Sequence, residues 1–484
     1  MIRNFLFIIL MLPRIIYGQS INAYFEKIRG NSAELTAFFS QMPKGGDLHH
    51  HYTGSVYAET YINYVIEKDF YINKKTLKVQ EIIASPESDW TRFSSLKTDG
   101  LLDAYKQKLI QKWSVKDYNN VDYPSDKLFF ESFSNFGIAT DSTLEKGLIE
   151  IKMRAKNENV SYIETMYQHI PCDTNINDLN EFNRRLVQAQ DNRDNKLTSK
   201  ILDSLYQLIK KKNILACAVT FNDSLEKMHM RLVIDDPAFT MRYQNYVARV
   251  TEPVTVFKNL VLAFESADKS SLIVGVNIVA PENNEISMRD YWLHMQMFNF
   301  CHTNYKDVKY AIHAGELTLG MVKPEELAWH INAAVYDAHA NRIGHGVDMP
   351  YEKNSYSLLA YMNKHKIPVE INLFSNEFIL KVKDDKHPVL LYKRFNVPIV
   401  ICSDDAAVLR TNLTEQFVLL AKRYKEISYA DIKGFVYNSI NYSFIETPAL
   451  KQQLVADLDR RFRLFEGNLL LIPFNITTKN KTRY

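Results

Sequence analysis

Six short apolar runs, rich in β-branched residues, recur along the chain and are separated by longer segments of helical character. Runs of this length are typical of strands buried on both faces of a sheet, and their alternation with helices favours a parallel sheet. Two shorter segments that precede histidine-containing motifs bring the count to eight, the number that closes a (β/α)8 barrel. We therefore predict an α/β fold, a TIM barrel. The eight segments are Gly46–Leu48, Val160–Met166, Ile214–Val219, Leu272–Ala280, Val308–Ala314, Arg342–Gly344, Ile367–Ile371 and Val397–Cys402.

The segments between the predicted strands carry helical signals. In Pro324–Ala340, a proline and two glutamates suit a first turn, and apolar residues form a stripe along one face. A much longer segment, about 53–159, separates the first two predicted strands, and we expect a helical insertion there. Its aromatic residues fit either a lid over a ligand or the insertion's own core, and we favour the core. These residues are Trp90, Trp113, Phe129, Phe130, Phe133 and Phe136.

The first residues differ in composition from the rest of the chain. Arg3 precedes the apolar run Phe5–Leu12, which is typical of a secretory signal peptide over 1–18. We therefore expect an exported protein, secreted or periplasmic; an uncleaved amphipathic anchor is the alternative. No later run approaches the roughly 20 apolar residues that a membrane-spanning helix needs. The remaining predicted parts are a helical extension (19–41), the barrel (42–472) and a polar tail (473–484).

Charge and cysteine content narrow the function classes. With 59 basic and 56 acidic residues the net charge is +3, which argues against nucleic acid or an anionic membrane as the main partner. A small molecule or another protein is favoured. The four cysteines, Cys172, Cys217, Cys301 and Cys402, are too widely separated for CxxC chemistry. One pair can form a disulfide in an exported chain, but we expect four buried thiols.

Polar clusters follow four of the predicted strands at the points where the strands end. In a barrel these strand ends share the rim that carries the active site. Because side chains alternate along a strand, His49 and His51 lie on one face and His50 on the other, and two adjacent imidazoles suit zinc. The clusters are residues 49–51 (HHH), 313–316 (HAGE), His345 between two glycines, and Asp404 with Asp405.

The paired carboxylates give the strongest physical signal. Asp404 and Asp405 follow a buried run directly, and desolvating two like charges is costly unless a cation compensates. A metal at Asp404, with Asp405 turned toward a substrate, removes that cost; an N-cap or a solvated turn is the alternative. His313 is a candidate third nitrogen ligand, and His345 a candidate general base or orienting group. Four such clusters at four strand ends favour a catalytic rim over four unrelated loops.

The motifs together resemble the ordered signature set of the adenosine deaminase family. The export signal and the opening of the first motif resemble its secreted branch, the adenosine deaminase-related growth factors and their bacterial relatives. The resemblance extends from about Met42 to Phe465, most of the chain. The matching motifs are residues 42–51 (MPKGGDLHHH), 313–316 (HAGE), 342–346 (RIGHG), 370–376 (EINLFSN), 387–388 (HP) and 403–405 (SDD).

The resemblance implies a fold, a cofactor and a reaction. It implies a TIM barrel of the metal-dependent hydrolase type that converts adenosine and 2′-deoxyadenosine to inosines and ammonia, with one Zn²⁺ per chain activating the attacking water. By analogy Glu316 protonates N1, His345 orients the nucleophile, and Asp405 accepts a hydrogen bond involving N7. The amide of Gly315 is expected in the loop that meets the base. The implied metal ligands are His49, His51, His313 and Asp404.

Two positions depart from the family pattern. Classical intracellular members carry an aspartate that contacts the ribose 5′-hydroxyl where this chain has Thr53, so hydroxyl recognition is expected to be weaker or differently arranged. Where those enzymes place a glycine whose amide meets N3, this chain has Ala280, which keeps the N–H but crowds it. The sequence therefore supports the catalytic set better than the substrate-binding set.

Four other interpretations compete at the sequence level. Binuclear amidohydrolases share the His-x-His start but need a bridging lysine, and no candidate strand ends in one. Cytidine-deaminase chemistry is disfavoured because Cys172 has no second cysteine three residues on. The sequence also leaves open another 6-aminopurine substrate, and an exported signalling or binding protein in which catalysis is secondary or absent. Residues 21–40 are equally consistent with a dimerisation arm and a strut on the barrel.

Overall fold

Eight parallel strands close into a barrel in the computed structural model of the protein, which describes residues 21–83, 89–119, 122–173, 176 and 179–471. The predicted signal peptide and polar tail lie outside the described residues. We number the barrel strands in chain order. They are β1 (Gly45–His51), β2 (Val160–Met166), β3 (Thr240–Ala248), β4 (Ile273–Val279), β5 (Ala311–Ala314), β6 (Arg342–His345), β7 (Val369–Ile371) and β8 (Ile399–Ile401).

Backbone hydrogen bonds show how the barrel closes. The strands pair in the orders β1-β2-β3-β4 and β5-β6-β7-β8, every pair being parallel. At one seam His51 N–H donates to the carbonyl of Asp404 (3.2 Å) and Asp404 N–H to that of His49 (2.9 Å). At the other seam Val276 N–H donates to the carbonyl of Lys309 (3.1 Å). The predicted α/β barrel is therefore confirmed, and one seam runs through candidate site residues.

One predicted strand is wrong. Seven predicted segments overlap barrel strands, but Ile214–Val219 leads into the helix Ala216–Arg231, and the third strand is Thr240–Ala248. A short apolar run does not by itself distinguish strand from buried helix. The true strand was hidden because it carries polar residues into the barrel interior. Gln244, for example, is fully buried and donates to the carbonyl of Leu48.

Helices surround the barrel and fill the long connections. Residues 21–28 are also helical. The other α-helices are Ser32–Gln41, Tyr52–Ser55, Ala58–Glu67, Phe93–Thr98, Leu102–Lys112, Ser125–Thr140, Leu144–Asn157, Leu179–Asp191, Asn195–Lys211, Ala216–Arg231, Pro253–Lys269, Glu285–Asn304, His330–Asn332, Ser355–His365, Leu373–Leu380, Val389–Arg394, Leu413–Arg423, Tyr429–Asn441 and Pro448–Leu471.

The helix predicted at Pro324–Ala340 is broken into three short pieces. A 3-10 turn (Pro324–Ala328) begins with the expected proline, and then a single α-turn (His330–Asn332) and a π-helical turn (Ala333–Asp337) follow. The break occurs where the Glu352 carboxylate accepts the N–H of Ile331 and of Asn332. A side chain from outside the segment thus replaces the regular helical hydrogen bonds.

Two long insertions lie between consecutive barrel strands. The segment between β1 and β2 is mainly helical, as predicted, with a small antiparallel sheet of the strands Tyr71–Asn73, Val79–Gln80 and Trp90–Arg92. The segment between β2 and β3 contains three helices and is tied by a disulfide between Cys172 and Cys217, 45 residues apart. The expectation of four free thiols was therefore wrong, because Cys301 and Cys402 alone are free and buried. Over the described ranges, no helix combines the length and apolar character needed to cross a membrane.

Candidate active site

A cavity of about 430 Å³ opens at the carboxyl ends of the barrel strands. Its walls divide into an apolar side and a polar end. The apolar side consists of Phe129, Phe130, Phe133, Tyr246, Val250, Val279, Ala280 and Pro281. The polar residues are His51, Thr53, Asn284, His313, Glu316, His345, Asp404 and Asp405. This division suits a flat apolar molecule with polar edges.

The four predicted metal ligands converge at the polar end. Asp404 Oδ1 lies 3.5 Å from His49 Nε2 and 3.3 Å from His51 Nε2. His51 Nε2 lies 3.1 Å from His313 Nε2. The donor atoms of His49, His51 and His313 fall within 4.8 Å of one another, as do those of His51, Asp404 and Asp405. Three imidazoles and a carboxylate are a donor set that zinc prefers.

The hydrogen bonds behind two of these imidazoles leave their Nε2 atoms free to bind a metal. His49 Nδ1 lies 2.7 Å from a carboxylate oxygen of Glu370, which can only accept, so Nδ1 carries the proton. His313 Nδ1 lies 2.9 Å from Asn277 Oδ1, which also accepts the backbone N–H of Ile278 and is therefore an oxygen. His49 Nε2 is buried with no hydrogen-bond partner. The residues present thus fit a divalent cation, with the second-layer acceptors that metal-binding histidines usually have.

Charge at this end favours a cation as well. Burial disfavours a charged His49, but the neighbouring carboxylates of Asp404 and Glu370 outweigh burial and raise its pKa to about 10 in the metal-free protein, where a bound cation would replace the proton on Nε2. Burial also opposes ionisation of Asp404, yet the neighbouring His49, whose Nε2 lies 3.5 Å away, holds the pKa of Asp404 well below its usual range. Buried carboxylates therefore lie on both sides of the His49 ring, Asp404 at Nε2 and Glu370 at Nδ1. Glu370 is itself held by Arg342, whose Nε lies 2.5 Å from Glu370 Oε1.

Glu316 and His345 lie beside the ligand cluster. The carboxyl of Glu316 is 3.7 Å from His345 Nε2, which is 4.0 Å from Asp404 Oδ2. Burial, with the nearby carboxylates of Asp404 and Glu282, raises the pKa of Glu316 to about 8. Burial lowers the pKa of His345 well below its usual value. At neutral pH the site therefore presents a protonated carboxyl group next to a neutral imidazole.

Asp405 lines the cavity next to the cluster. Its Oδ1 is buried without a hydrogen-bond partner. Burial and the adjacent Asp404 carboxylate raise the pKa of Asp405 well above its usual range. A Cβ added at Gly54 would lie 1.7 Å from Asp405 Oδ1, so this glycine gives the carboxyl group its space. Asp405 is thus positioned to meet a polar atom of a ligand.

Left-handed backbone conformations turn the chain at the strand ends. His345 and Asp404 have φ of 65° and 61°, and Ala280, which lines the cavity, has φ of 84°. Non-glycine residues adopt such angles at an energetic cost and tend to do so at functional sites. Each of these three residues follows or ends a barrel strand. The positive φ therefore directs side chains and amides into the cavity rather than along the sheet.

Gly315 directly precedes the cavity residue Glu316, and its amide is hydrogen-bonded within the protein. With a φ of 74°, its N–H donates to Glu282 (3.1 Å), and Glu282 also accepts the N–H of Glu316 (2.9 Å). Glu282 further lies 2.6 Å from His330 Nδ1. The Gly315 amide is therefore used to fix the turn that carries Glu316. A Cβ at Gly315 would approach Asp348 Oδ1 to 2.3 Å, which explains the need for glycine.

The aromatic residues of the first insertion divide between two roles. Trp113 and Phe136 are buried in the hydrophobic core, and Phe136 stacks on Tyr61 of the same insertion. Phe129, Phe130 and Phe133 instead line the cavity, so for them the core prediction was incomplete. They lie on the helix Ser125–Thr140, and Phe129 packs edge-on against both of the others. Trp90 lies on the small antiparallel sheet.

Several supporting residues were not assigned a role from the sequence. Glu370 lies within a motif used for the resemblance, Asn277 lies within a predicted strand, and Glu282 follows that strand. The sequence signal that could have identified them is a polar residue within, or directly after, a strand that is buried on both faces. Burial of such a group is costly unless it is hydrogen-bonded, so its presence marks a structural or functional network. Each of the three is buried and contacts a predicted site residue.

A family model described as adenosine deaminase matches residues 233–460. Over this part of its length the chain is similar to the adenosine deaminase family. Among relatives, the aminodeoxyfutalosine deaminase of Streptomyces avermitilis is 32% identical over 148 residues, which cover 30% of this chain and 38% of the relative. The adenosine deaminase of Clostridium kluyveri is 32% identical over 134 residues (28% and 35%). The human N6-methyl-AMP deaminase is 33% identical over 110 residues (22% and 31%). The aligned regions thus span about a third of these relatives.

Solved structures of the adenosine deaminase family and related amidohydrolases share the fold over a much longer stretch. The adenine deaminase of Arthrobacter aurescens superposes with a TM-score of 0.55 and 16% identity over 87% of this chain and 99% of its own. An amidohydrolase of Burkholderia ambifaria, whose structure contains bound Zn, gives a TM-score of 0.53 and 16% identity over 90% and 94%. At these identities the likeness supports the barrel fold.

Proposed function

We propose that the protein is a zinc-dependent deaminase that hydrolyses adenosine and 2′-deoxyadenosine to the corresponding inosine and ammonia. The observation that carries the proposal is the meeting of three elements at one end of an apolar cavity. These are the ligand cluster around Asp404, the protonated carboxyl group of Glu316, and the carboxyl group of Asp405. The substrates named for the relatives support the reaction class.

The metal would be held by His49, His51, His313 and Asp404. His49 and His313 would bind it through Nε2, because their Nδ1 atoms face the acceptors Glu370 and Asn277, and the Asp404 carboxylate would balance part of the charge. When bound, zinc would supply hydroxide at neutral pH by lowering the pKa of water to near 7. The zinc found in the Burkholderia ambifaria amidohydrolase supports this choice of ion.

Glu316 is the proton donor in this proposal. Its carboxyl group retains a proton at neutral pH because burial and the neighbouring carboxylates raise its pKa to about 8. Proton transfer from Glu316 to N1 of the purine makes C6 more electrophilic, so that water adds there and ammonia leaves. Glu282 fixes the donor by accepting the N–H groups of Gly315 and Glu316.

The base is held between the polar end and the apolar side of the cavity. The ring face packs on Phe129, Phe133 and Val279, and Asp405 is placed to hydrogen-bond at N7. Because the apolar side also excludes water, the electrostatic effect of the polar groups is strengthened.

The cavity favours a nucleoside over a nucleotide. Among the described residues that line it, none is Lys or Arg, and a phosphate is normally bound by such side chains or by a cluster of N–H donors. Thr53 supplies a neutral side chain where a ribose hydroxyl is expected. A second candidate substrate class is therefore a 5′-modified adenine nucleoside with an apolar substituent, which the phenylalanine wall would accommodate.

A panel of substrates tests this specificity. We expect adenosine and 2′-deoxyadenosine to release ammonia with a kcat/KM at least tenfold above that for AMP and N6-methyl-AMP. A nucleotide preferred over adenosine would refute the nucleoside proposal. A 5′-alkylthio adenosine preferred over adenosine would select the second candidate.

We further propose that the protein acts outside the cytoplasm. The Cys172–Cys217 disulfide supports this, because such bonds persist in oxidising compartments. Detection of the protein in the culture supernatant or periplasm of its source would test it, and retention in the cytoplasm would contradict it.

The central experiment is ammonia release from adenosine. The purified protein is expected to turn over adenosine, and Glu316→Gln is expected to lower kcat by at least about 10²-fold, the usual contribution of a general acid. Glu326→Gln, a change of the same type in the 3-10 turn away from the cavity, is the matched control and should keep full activity. Equal activity of wild type and Glu316→Gln would overturn the assigned role.

A further inference from the structure

Three fully buried imidazoles meet at the polar end of the cavity, and they differ in what lies behind them. The Nδ1 atoms of His49 and His313 face the acceptors Glu370 and Asn277 Oδ1, so each Nδ1 carries a proton. Nε2 is therefore the ring atom through which each of these two histidines can bind a metal. His345 is also close enough to His49 and Asp404 to be counted as a candidate ligand by distance alone. A neutral His345 can bind a metal through Nε2 only if its proton is on Nδ1, so its tautomer decides whether it can be a ligand.

Side-chain amides surround Nδ1 of His345, the ring nitrogen that does not face Glu316 and Asp404. Its Nδ1 lies 2.9 Å from Nδ2 of Asn376 and 3.4 Å from Nδ2 of Asn372. Asn376 Oδ1 in turn lies 3.1 Å from Nε2 of His387. His387 Nδ1 lies 3.2 Å from the backbone nitrogen of Val389. Amide and imidazole groups can each be reversed, so the direction of these hydrogen bonds depends on a group that cannot.

The backbone N–H of Val389 is that group. It belongs to the first residue of the helix Val389–Arg394, where an N–H has no carbonyl of the preceding turn to bind, and it can only donate. His387 Nδ1 must therefore be unprotonated, which places the proton of a neutral His387 on Nε2. That proton is donated to Asn376 Oδ1, and Asn376 Nδ2 then donates to Nδ1 of His345. His345 Nδ1 is therefore unprotonated, and Nε2 carries the proton.

We propose that Asn376 and His387 are positioning residues that hold His345 in the tautomer with its Nε2–H directed into the cavity, as a hydrogen-bond donor and not as a metal ligand. The contact from Asn372 Nδ2 has the same direction. We call the hydrogen-bonded series from the Val389 N–H through His387 and Asn376 to His345 the relay. Reversing its direction would place a protonated His387 Nδ1 against the Val389 N–H.

Burial keeps the relay in one protonation state. His387 is 3% exposed, and burial lowers its pKa to about 3, so it remains neutral over the physiological range. Arg423, whose positive charge also disfavours a protonated His387, is the charged residue that acts on it. The direction set by the Val389 N–H is thus the same throughout that range.

The consequence for catalysis rests on the proposed function. An Nε2–H group 3.7 Å from Glu316 and 4.0 Å from Asp404 can donate to the oxygen that adds to C6 and hold it on one side of the ring. With the opposite tautomer, His345 would instead present a lone pair. It would then compete for the metal and repel that oxygen.

The tautomer is measurable without substrate. We would label the histidines with ¹⁵N, record long-range ¹⁵N–¹H correlation spectra of the zinc-loaded protein, and assign His345 by comparison with His345→Gln. The expected result is an unprotonated Nδ1 and a protonated Nε2. A protonated Nδ1 on His345 overturns the inference whether or not the protein deaminates adenosine. The expected tautomer in a protein that does not deaminate adenosine would support the inference and refute the proposed function.

Variants of the relay provide an independent readout. In Asn376→Asp the group facing His345 can only accept, so we expect the proton to move to Nδ1 and kcat to fall about 10²-fold with little change in KM. Asn396→Asp, an exposed change of the same type, should leave both unchanged. His387→Leu removes the donor, whereas His387→Gln retains an amide donor for Asn376 and should restore most of the activity and the wild-type tautomer. If all folded variants keep the wild-type tautomer, the relay does not position His345.

Discussion

The role of each histidine at the rim depends on the group that its second ring nitrogen, Nδ1, contacts. His49 and His313 are backed by acceptors and can bind a metal through Nε2, whereas amide donors surround Nδ1 of His345. Glu316 is fixed through its backbone by Glu282. The chemistry of the site is therefore determined by residues that do not line the cavity as much as by those that do.

The pH dependence of kcat follows from the raised pKa of Glu316. Its protonated form is needed for catalysis, is complete well below its pKa of about 8, and is lost as pH rises through that value. We therefore expect kcat for adenosine to fall on the alkaline side with a midpoint near pH 8. The fall must occur where thermal unfolding shows the protein still folded. A kcat that stays constant to pH 10 would contradict the assignment.

Ala280 is strained in a way that glycine would relieve. A positive φ destabilises the folded state by about 1–2 kcal/mol at an alanine. Glycine removes this strain, but its larger conformational entropy in the unfolded state offsets part of the stabilisation. We expect Ala280→Gly to raise the free energy of unfolding by up to about 1 kcal/mol and to lower the KM for adenosine by uncrowding the cavity wall. Ala333→Gly is the matched control and should destabilise by about 1 kcal/mol, because Ala333 has helical dihedrals. Destabilisation by both changes would contradict this account.

The sequence predicted the residues of the site better than their environment. His49, His313, Asp404 and Glu316 could be predicted because each lies in the last residues of a barrel strand or just after it, and strand ends meet at one rim. Glu282 could not, since its position beside the Gly315 and Glu316 amides depends on packing between distant parts of the chain. The positive φ of His345 and Asp404 carries no sequence signal either, because non-glycine residues rarely adopt it.

Among the elements, strands with apolar runs were predictable and the polar strand was not. Thr240–Ala248 places Gln244 and Asn245 in buried positions, where hydrogen bonds to Leu48 and Ser266 replace the missing apolar contacts. Local composition gives no indication of those partners, since they lie elsewhere in the chain. Ile214–Val219 shows the opposite case, an apolar run whose helix becomes apparent only from its packing against the barrel.

The disulfide is the element-level feature that is most easily tested. Closing a loop of 45 residues is expected to stabilise the folded protein by about 4 kcal/mol through loss of unfolded-state entropy. Reduction of the wild type should lower the free energy of unfolding by about that amount. Cys217→Ser should start from the lower value and show no response to reductant. Equal responses of the two proteins would show that the bond does not form.

At the scale of the whole molecule, the metal cluster joins the two ends of the barrel sheet. His49 and His51 lie on β1 and Asp404 follows β8, and their backbones form the hydrogen bonds of one seam. A cation bound at this point would link the first strand to the last. We therefore expect it to stabilise the closed barrel in addition to any role in catalysis.

Zinc binding should accordingly raise thermal stability. A ligand at 1,000 times its Kd stabilises the folded state by about 4 kcal/mol, so we expect a rise of several degrees in the Tm of the metal-free protein when zinc is added. Asp404→Asn removes one charge of the ligand set and should largely abolish the rise. Asp385→Asn, in the 3-10 turn Asp384–Lys386, should leave it unchanged. An equal rise in all three proteins would indicate binding elsewhere.

The measurement that tests the central claim most directly is a zinc titration of the metal-free protein with adenosine as substrate. The rate of ammonia release and the bound zinc are measured at each point. We predict that activity is absent at the start, rises in proportion to bound zinc, and reaches a plateau at one zinc per chain. Full activity in the metal-free protein, or no ammonia with one zinc bound per chain, would contradict the proposal of a zinc-dependent adenosine deaminase.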